Sequence, residues 1–307
     1  MRPARRQALK FFAGLAASFA IPSFAYAHRF ARDEAGCLVV PVRVNGHGPY
    51  PFILDTGSNR TVVTPELVSA LGLVVSNGAQ NVTGVGGEAN AGLVRLARVD
   101  VGAFSHDGVT AIVLPSDGVR GAFGAARGAI GMDGLSDKRL LIDFENGGFE
   151  VGPGGAAASE DFDVVKGALR FGRLLEIPID IGGFEARAII DTGTQATIAN
   201  PALMAQGIAT ATQRRFVVVG ARGESPATQA ALLRDVKLGP LKIASLLAQP
   251  GQLPVLRGPD GKELPALFLG MDALGLTRGF AIDFARAELQ VRLDPLQLAW
   301  ARWSERG

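Results

Sequence analysis

The sequence contains the same structural unit twice, and this repeat limits the folds that the chain can adopt. Each copy has an alternating apolar segment, a two-residue turn and a second apolar segment that ends in Asp-Thr-Gly. These parts are residues 38–44, Asn45-Gly46 and residues 52–57 in the first copy, and residues 175–181, Gly182-Gly183 and residues 188–193 in the second. Alternation on both sides of Asn-Gly or Gly-Gly predicts a β-hairpin. We therefore expect two copies of one β-rich half.

The repeat continues after each Asp-Thr-Gly with a predicted short helix. Thr64 and Asn200 are residues favoured at helix N-caps, and a proline follows each of them, as is common at the first helical position. Gly72 and Gly207 are placed to end these helices, because glycine tolerates the left-handed conformation at a helix C-terminus.

A glycine-rich segment then recurs at an unchanged spacing. Asp55 and Asp191 lie 136 positions apart, and the same separation relates residues 84–88 to residues 220–224. One such segment alone is more typical of a plain hairpin turn, but its recurrence in both copies favours a functional hairpin. The residues concerned are Gly84, Val85, Gly86, Gly87, Gly220 and Gly223.

The repeat also predicts the domain organisation. Residues 28–151 are expected to form the N-terminal half, and residues 173–293 the C-terminal half. Residues 152–172 are rich in Gly and Ala and have the composition of a linker. Residues 294–307 open with Asp-Pro and are predicted to form a C-terminal helix.

Residues 1–27 have the pattern of a secretory signal peptide. A basic stretch precedes the apolar residues 11–20, and Ala25-Tyr26-Ala27 matches an A-x-A cleavage signature, so cleavage is expected before His28. An uncleaved membrane anchor is disfavoured because the apolar run is short for a membrane span. Arg5-Arg6 is similar to a twin-arginine signal, which leaves both the Sec and the Tat route open. We expect a bacterial protein exported to the periplasm or another extracytoplasmic location.

Composition excludes several other classes. Hydrophobic residues make up 48% and charged residues 20% of the chain, with a net charge of +2, which is typical of a folded protein and does not suggest a nucleic-acid partner. The single cysteine, Cys37, allows no intramolecular disulfide and is interpreted as a small core residue. The three histidines have no metal-site spacing, so neither a metal nor a cofactor is expected.

The two Asp-Thr-Gly turns are the candidate catalytic site. One Asp-Thr-Gly is weak evidence, but two in repeat register place Asp55 and Asp191 at equivalent positions after a buried strand. Two carboxylates that share one proton can activate a water and polarise a carbonyl. The other repeated acids, Asp133, Asp143, Asp272 and Asp283, are interpreted as structural residues at turns and strand ends.

On these motifs the chain resembles the aspartic proteases of the pepsin and retropepsin superfamily. The turns Asp55-Thr56-Gly57-Ser58 and Asp191-Thr192-Gly193-Thr194 are similar to the paired active-site turns of pepsin lobes. Residues 129–131 and 268–270 are similar to the apolar-apolar-Gly segment of retropepsins. The resemblance implies an all-β, bilobed acid protease, built from two pseudo-twofold-related retropepsin-like β-barrel halves with few short helices.

The resemblance also implies roles for individual residues. Thr56 and Thr192 would brace the two active-site loops across the pseudo-twofold axis, and Gly57 and Gly193 would shape the turns. Ser58 and Thr194 would donate hydrogen bonds to the outer carboxylate oxygens, which favours the ionised form and an acid-leaning pH optimum. The glycine-rich hairpins would be flaps over the substrate.

The predicted function is therefore aspartic endopeptidase activity on extended polypeptides, by a soluble monomer. Two alternatives stay open at this point. A non-catalytic peptide-binding protein could keep the same fold, because a fold does not determine a function. Each half could also pair with a half of another chain, which would form the active site between two chains.

Overall fold

The computed structural model describes residues 28–76, 80–84, 87–114, 125–216, 219–220, 223–224, 228–258, 260 and 262–296. The predicted signal peptide, the tips of both glycine-rich segments and most of the predicted C-terminal helix lie outside these residues. None of the helices in the described ranges is long and apolar enough to cross a membrane.

Strands dominate the described part of the chain. Those up to the middle of the chain are β1 (His28–Arg29), β2 (Ala31–Arg32), β3 (Leu38–Val44), β4 (His47–Leu54), β5 (Val62–Val63), β6 (Gln80–Gly84), β7 (Gly87–Val101), β8 (Phe104–Val113), β9 (Gly128–Ile130), β10 (Lys138–Asp143), β11 (Gly148–Pro153) and β12 (Asp163–Lys166). Those that follow are β13 (Ala168–Arg170), β14 (Leu174–Ile181), β15 (Phe184–Ile190), β16 (Thr197–Ala199), β17 (Ala209–Phe216), β18 (Val219–Gly220), β19 (Gly223–Glu224), β20 (Thr228–Leu238), β21 (Leu241–Pro250), β22 (Ala266–Leu269), β23 (Gly279–Asp283) and β24 (Glu288–Arg292). The short helices are α1 (Pro65–Ala70), α2 (Pro201–Met204), α3 (Met271–Leu274) and a 3₁₀ helix at Pro254–Leu256.

The two copies of the repeat form two sheets with the same strand order. The first sheet runs β2-β3-β4-β9-β5-β8-β7-β6, and the second runs β13-β14-β15-β22-β16-β21-β20-β17. An additional pairing closes each sheet on itself, β3 with β7 in the first and β14 with β20 in the second. This architecture confirms the predicted all-β, retropepsin-like fold with two barrel halves.

The predicted hairpins and helices form where the sequence places them. Asn45 and Gly46 both have positive φ, 52° and 81°, and they join β3 to β4 as the turn chemistry requires. Gly182 and Gly183 do the same between β14 and β15, with φ of 60° and 88°. The N-cap side chains of the first two helices accept the predicted backbone hydrogen bonds, at 3.2 Å for α1 and 2.9 Å for α2.

A third sheet joins the two copies. Its order is β1-β11-β10-β23-β24-β12, so strands from both halves lie side by side. β10 of the first half pairs antiparallel with β23 of the second, from Arg139 opposite Asp283 to Asp143 opposite Gly279. Leu140 and Ile282 face each other in this pairing and are fully buried, so the core continues from one half into the other.

The segment with linker composition, residues 152–172, contains two short strands in its second part. β12 pairs with β24 in the sheet that joins the halves, and β13 pairs with β14 in the second barrel. The short alternation around Val164 and Val165 explains this, because such a run can add to the edge of an existing sheet. The connection between the halves is therefore part of their interface.

Candidate active site

Both Asp-Thr-Gly turns directly follow a buried strand and are held by the segment behind it. The backbone N–H of Asp55 donates to the Ile130 carbonyl at 3.0 Å, and that of Asp191 donates to Leu269 at 3.0 Å. A second backbone hydrogen bond connects each segment to the active-site loop of its half. The N–H of the methionine that follows Gly131 or Gly270 donates to a carbonyl of that loop, in both cases at 2.9 Å. The apolar-apolar-Gly segments thus fix the position of the two aspartates.

Gly131 and Gly270 are required by close backbone packing against these loops. A Cβ at Gly131 would lie 2.3 Å from the carbonyl carbon of Arg60, and a Cβ at Gly270 would lie 2.8 Å from that of Ala196. Neither distance is compatible with a side chain, since the neighbouring atoms belong to the backbone. This contact explains why both segments end in glycine.

Thr56 and Thr192 cross-link the two loops. The Thr56 hydroxyl donates to the Ile190 carbonyl at 2.7 Å and accepts from the Thr192 N–H at 3.0 Å. The Thr192 hydroxyl donates to the Leu54 carbonyl and accepts from the Thr56 N–H at 3.1 Å. Both threonines are buried. These four bonds are consistent with the bracing role implied by the family resemblance.

The two aspartates face each other at the centre of this arrangement. The N–H of Gly57 donates to Oδ1 of Asp55 at 3.0 Å, and the N–H of Gly193 donates to Oδ1 of Asp191 at 2.8 Å. Each glycine also lies against the opposite aspartate, because a Cβ on either one would be 2.4 Å from the opposite Cγ. The absence of a side chain at Gly57 and Gly193 is what lets the carboxyl groups come within hydrogen-bonding reach of each other.

The pKa of both carboxyl groups is raised. Burial raises the pKa of Asp55 to about 6, although hydrogen bonds from Asp191 and from the backbone at Gly57 and Ser58 oppose the shift. Burial, followed by the negative charge of Asp55, raises the pKa of Asp191 well above its usual range. The arrangement therefore favours one proton shared between the two carboxyl groups.

The hydroxyls of Ser58 and Thr194 do not bond the carboxylates, which corrects the prediction made from the resemblance. Ser58 Oγ donates to the Arg60 carbonyl at 2.8 Å, and Thr194 Oγ1 donates to the Ala196 carbonyl at 3.1 Å. A hydroxyl can donate only one hydrogen bond, and each of these hydroxyls donates it to a backbone carbonyl two residues further along its own loop. The basis for an acid-leaning pH optimum is therefore lost.

The repeated acids of the closing segments are hydrogen-bonded parts of the scaffold. Asp133 accepts from the Thr61 hydroxyl at 2.7 Å, and Asp272 accepts from the Thr197 hydroxyl at 2.8 Å and from its N–H at 3.0 Å. These bonds connect the ends of each active-site loop to the segment behind it. They are consistent with the structural interpretation of these aspartates.

The glycine-rich segments form hairpins in both halves. Gly84 pairs with Gly87 between β6 and β7, and Gly220 pairs with Gly223 between β18 and β19. Val85 and Gly86 lie outside the described residues. β6 approaches the 3₁₀ helix at Pro254–Leu256 of the opposite half, with Cα atoms within 8 Å. The first predicted flap thus reaches across to the second half.

Two contacts between the halves were not predicted from the sequence. Nη1 of Arg173 donates to the Asn59 carbonyl at 3.0 Å, and the Cys37 thiol donates to the Gly193 carbonyl at 3.5 Å. Burial and nearby negative charge raise the pKa of the Cys37 thiol to about 12, so it stays protonated and can act as a donor. The repeat contains a pattern that could have predicted these contacts, because Cys37 and Arg173 each immediately precede the first long strand of their half.

No metal-binding group is formed within the described ranges, since no three His, Cys, Asp or Glu side chains lie close enough together to hold an ion. The available chemistry is that of two facing carboxyl groups with one proton between them. Two similar barrels with such a pair at their junction define the class of aspartic hydrolases.

Comparison with known families agrees with this class. Residues 40–133 match the family model described as aspartyl protease. The matched region contains Asp55 and ends at Asp133, so it covers most of the first half, which is similar to the aspartyl protease family. This similarity supports aspartic protease activity in general. No curated protein matches the chain.

Proposed function

We propose that this protein is an aspartic endopeptidase that hydrolyses peptide bonds of extended polypeptides with Asp55 and Asp191 of the same chain. The observation that carries the proposal is the facing pair of carboxyl groups, each of which packs on the glycine of the opposite turn. The raised pKa of both groups supports a pair that holds one proton between them.

In the proposed reaction a water lies between the two carboxyl groups. Asp55, as carboxylate, accepts a proton from the water while the water oxygen forms a bond to the carbonyl carbon of the peptide. Asp191 donates its proton to the carbonyl oxygen, which yields a neutral tetrahedral diol. The C–N bond then breaks as Asp55 returns a proton to the leaving nitrogen and Asp191 recovers one from the diol, so the starting protonation state is restored.

A digestion experiment tests this function. Purified protein is incubated with a mixed peptide library, and new termini are identified by mass spectrometry. Asp55→Asn and Asp191→Asn should each reduce cleavage by at least about 1000-fold, because an amide can neither accept nor donate the required proton. Asp107→Asn is the matched control, since it makes the same Asp-to-Asn change at an exposed side chain.

The outcomes separate the candidate functions. Cleavage by the wild type and the control, and loss in both site variants, supports the proposal. Retained turnover in both site variants would contradict the assignment of the pair. A wild type that binds extended peptides but cleaves none of them would favour the alternative function of a non-catalytic peptide-binding protein.

We further propose that the protein is exported and processed before His28. The support is the basic stretch, the apolar segment and the Ala25-Tyr26-Ala27 signature. Expression of the full chain in a bacterial host, followed by N-terminal sequencing of the periplasmic fraction, should return a sequence that starts at His28. Recovery of the intact N-terminus from the cytoplasm alone would contradict this proposal.

A further inference from the structure

An exposed phenylalanine occupies a strained turn beside the candidate active site. Phe171 and Gly172 join β13 to β14, and the N–H of Arg173 donates to the Arg170 carbonyl at 3.1 Å across the turn. The φ of Phe171 is 53°, in the left-handed region that bulky residues rarely adopt. Its side chain is nonetheless 63% exposed, so packing in the core does not explain its presence.

The two arginines of this turn connect it to the active-site loop of the first half and to the 3₁₀-helix region of the second half. Arg173 Nη1 donates to the Asn59 carbonyl, four positions after Asp55 in the first half. Arg170 Nη1 donates to the carbonyls of Val255 and Arg257, at 3.2 and 3.0 Å. These carbonyls belong to the 3₁₀-helix region that β6, the first strand of the predicted flap, approaches.

A buried carboxylate holds Arg170 in place. Glu176 is 7% exposed and accepts from Arg170 Nε at 2.7 Å and from Arg187 Nη1 at 3.2 Å. An ion pair that is mostly withdrawn from water keeps its geometry better than a surface pair. The position of Phe171 is thus defined by bonds on both sides of the turn.

The equivalent turn of the first half, residues 33–36, exposes no large apolar side chain. Gly36 closes a turn in which its N–H donates to the Asp33 carbonyl at 3.0 Å, and it lies against Gln195, four positions after Asp191. The turns at Asp33–Gly36 and Arg170–Arg173 therefore occupy equivalent places beside the two catalytic loops. The exposed residues of the first turn are Glu34 and Ala35, where the second presents Phe171.

We propose that Phe171 forms an outer subsite that binds an apolar side chain, aromatic or large aliphatic, of the extended peptide substrate. This inference rests on the proposed function and adds a substrate class to it. Since the opposite turn carries Glu34 and Ala35, the apolar preference exists at one end of the site only. Strained residues persist where the surrounding structure holds them and are concentrated at functional sites, which fits the exposed Phe171.

The test measures preference position by position. The peptides share one cleavable core. At each position outside this core, on either side of the cleaved bond, Phe, Leu, Ser or Asp is placed in turn. kcat/KM is determined for the wild type, Phe171→Gly and Phe171→Leu. The matched control is Ala287→Gly, because Ala287 also has a left-handed φ, 51°, in the turn between β23 and β24.

The wild type should prefer Phe or Leu at one outer position on one side. Phe171→Gly should lose about tenfold of that preference, the effect of removing the phenyl contact, so that kcat/KM for the Phe and Leu peptides falls towards that for the Ser peptides. Its thermal midpoint should not fall, because glycine accepts the left-handed φ. Phe171→Leu should keep the preference in part, and Ala287→Gly should keep it fully.

Two outcomes would overturn the inference while leaving the proposed function intact. One is an unchanged preference in Phe171→Gly, and the other is an equal loss of kcat/KM on every peptide. If the wild type cleaves no peptide, the proposed function fails, and fluorescence anisotropy with the same peptides decides on the subsite. Tighter binding of the Phe peptides that is lost in Phe171→Gly supports the subsite, whereas equal binding or no binding contradicts it.

Discussion

At the scale of single residues, the site depends on two carboxyl groups that are kept from ionising together. Each approaches the other because Gly57 and Gly193 lack a side chain, and a Cβ at either position would collide with the opposite carboxyl group at 2.4 Å. Burial raises the pKa of both, and the charge of Asp55 adds to the shift at Asp191. The two groups therefore titrate as one pair, in which ionisation of one carboxyl group opposes ionisation of the other.

The pH dependence of kcat/KM follows from these shifts. Activity requires one ionised and one protonated carboxyl group, so it should rise as the pH increases through about 6, where the pair loses its first proton. It should fall only at higher pH, where Asp191 ionises. The two limbs report apparent pKa values of the pair. A profile measured from pH 3 to 9 that peaks below pH 4.5 would contradict this expectation.

The hydroxyls of Ser58 and Thr194 should have little influence on that profile. Because each donates to a backbone carbonyl in its own loop, the double variant Ser58→Ala and Thr194→Ala should lose about 1 kcal/mol of unfolding free energy per site. The apparent pKa values of the pair should stay within about 0.3 units, an effect well under 1 kcal/mol. A shift of the rising limb by a full unit would show that the hydroxyls reach the carboxylates.

At the scale of structural elements, the threonine cross-link is the feature that ties the two active-site loops together. Thr192→Val should lower the unfolding free energy by about 2–4 kcal/mol, because it leaves the Leu54 carbonyl and the Thr56 N–H unsatisfied in a buried site. Thr212→Val is the control. Its hydroxyl donates to the Ala230 carbonyl and accepts from the exposed Arg214 N–H, and water can replace it at this half-buried position, so the loss should be below about 1 kcal/mol.

Urea unfolding monitored by far-UV circular dichroism measures both variants. Equal destabilisation by Thr192→Val and Thr212→Val would show that the cross-link contributes no more than an ordinary hydroxyl. A larger loss of activity than of stability in Thr192→Val is also expected, since the two loops carry the carboxyl groups.

Local sequence patterns predict the strands and turns of this fold, whereas the pairing of distant strands can be predicted from the sequence only in part. Alternation and turn residues such as Asn45-Gly46 predict the hairpins, because the forces involved act between neighbours. The joining of β10 to β23, and the contact of Arg173 with Asn59, depend on partners more than 100 positions away. The direction of the Ser58 hydroxyl is set by a loop geometry that the Asp-Thr-Gly-Ser motif does not encode.

At the scale of the whole molecule, the halves are joined by features that lie within one chain. β10 and β23 continue one sheet across the junction, and β12 of the connecting segment adds to the same sheet. The threonine cross-link and the Arg173 contact span the same boundary. A complete pair of carboxyl groups is therefore expected in every monomer.

Mixing two inactive variants tests this central claim most directly. Asp55→Asn and Asp191→Asn chains are unfolded together in urea, refolded as a mixture and assayed beside the wild type treated in the same way. If the pair forms within one chain, every molecule in the mixture has one amide and one carboxyl group, and no activity returns. If the pair forms between chains, some assemblies combine an intact Asp55 with an intact Asp191. Recovery of about a quarter of the wild-type activity, the share expected for random pairing of halves, would contradict the account, and so would turnover by either variant alone.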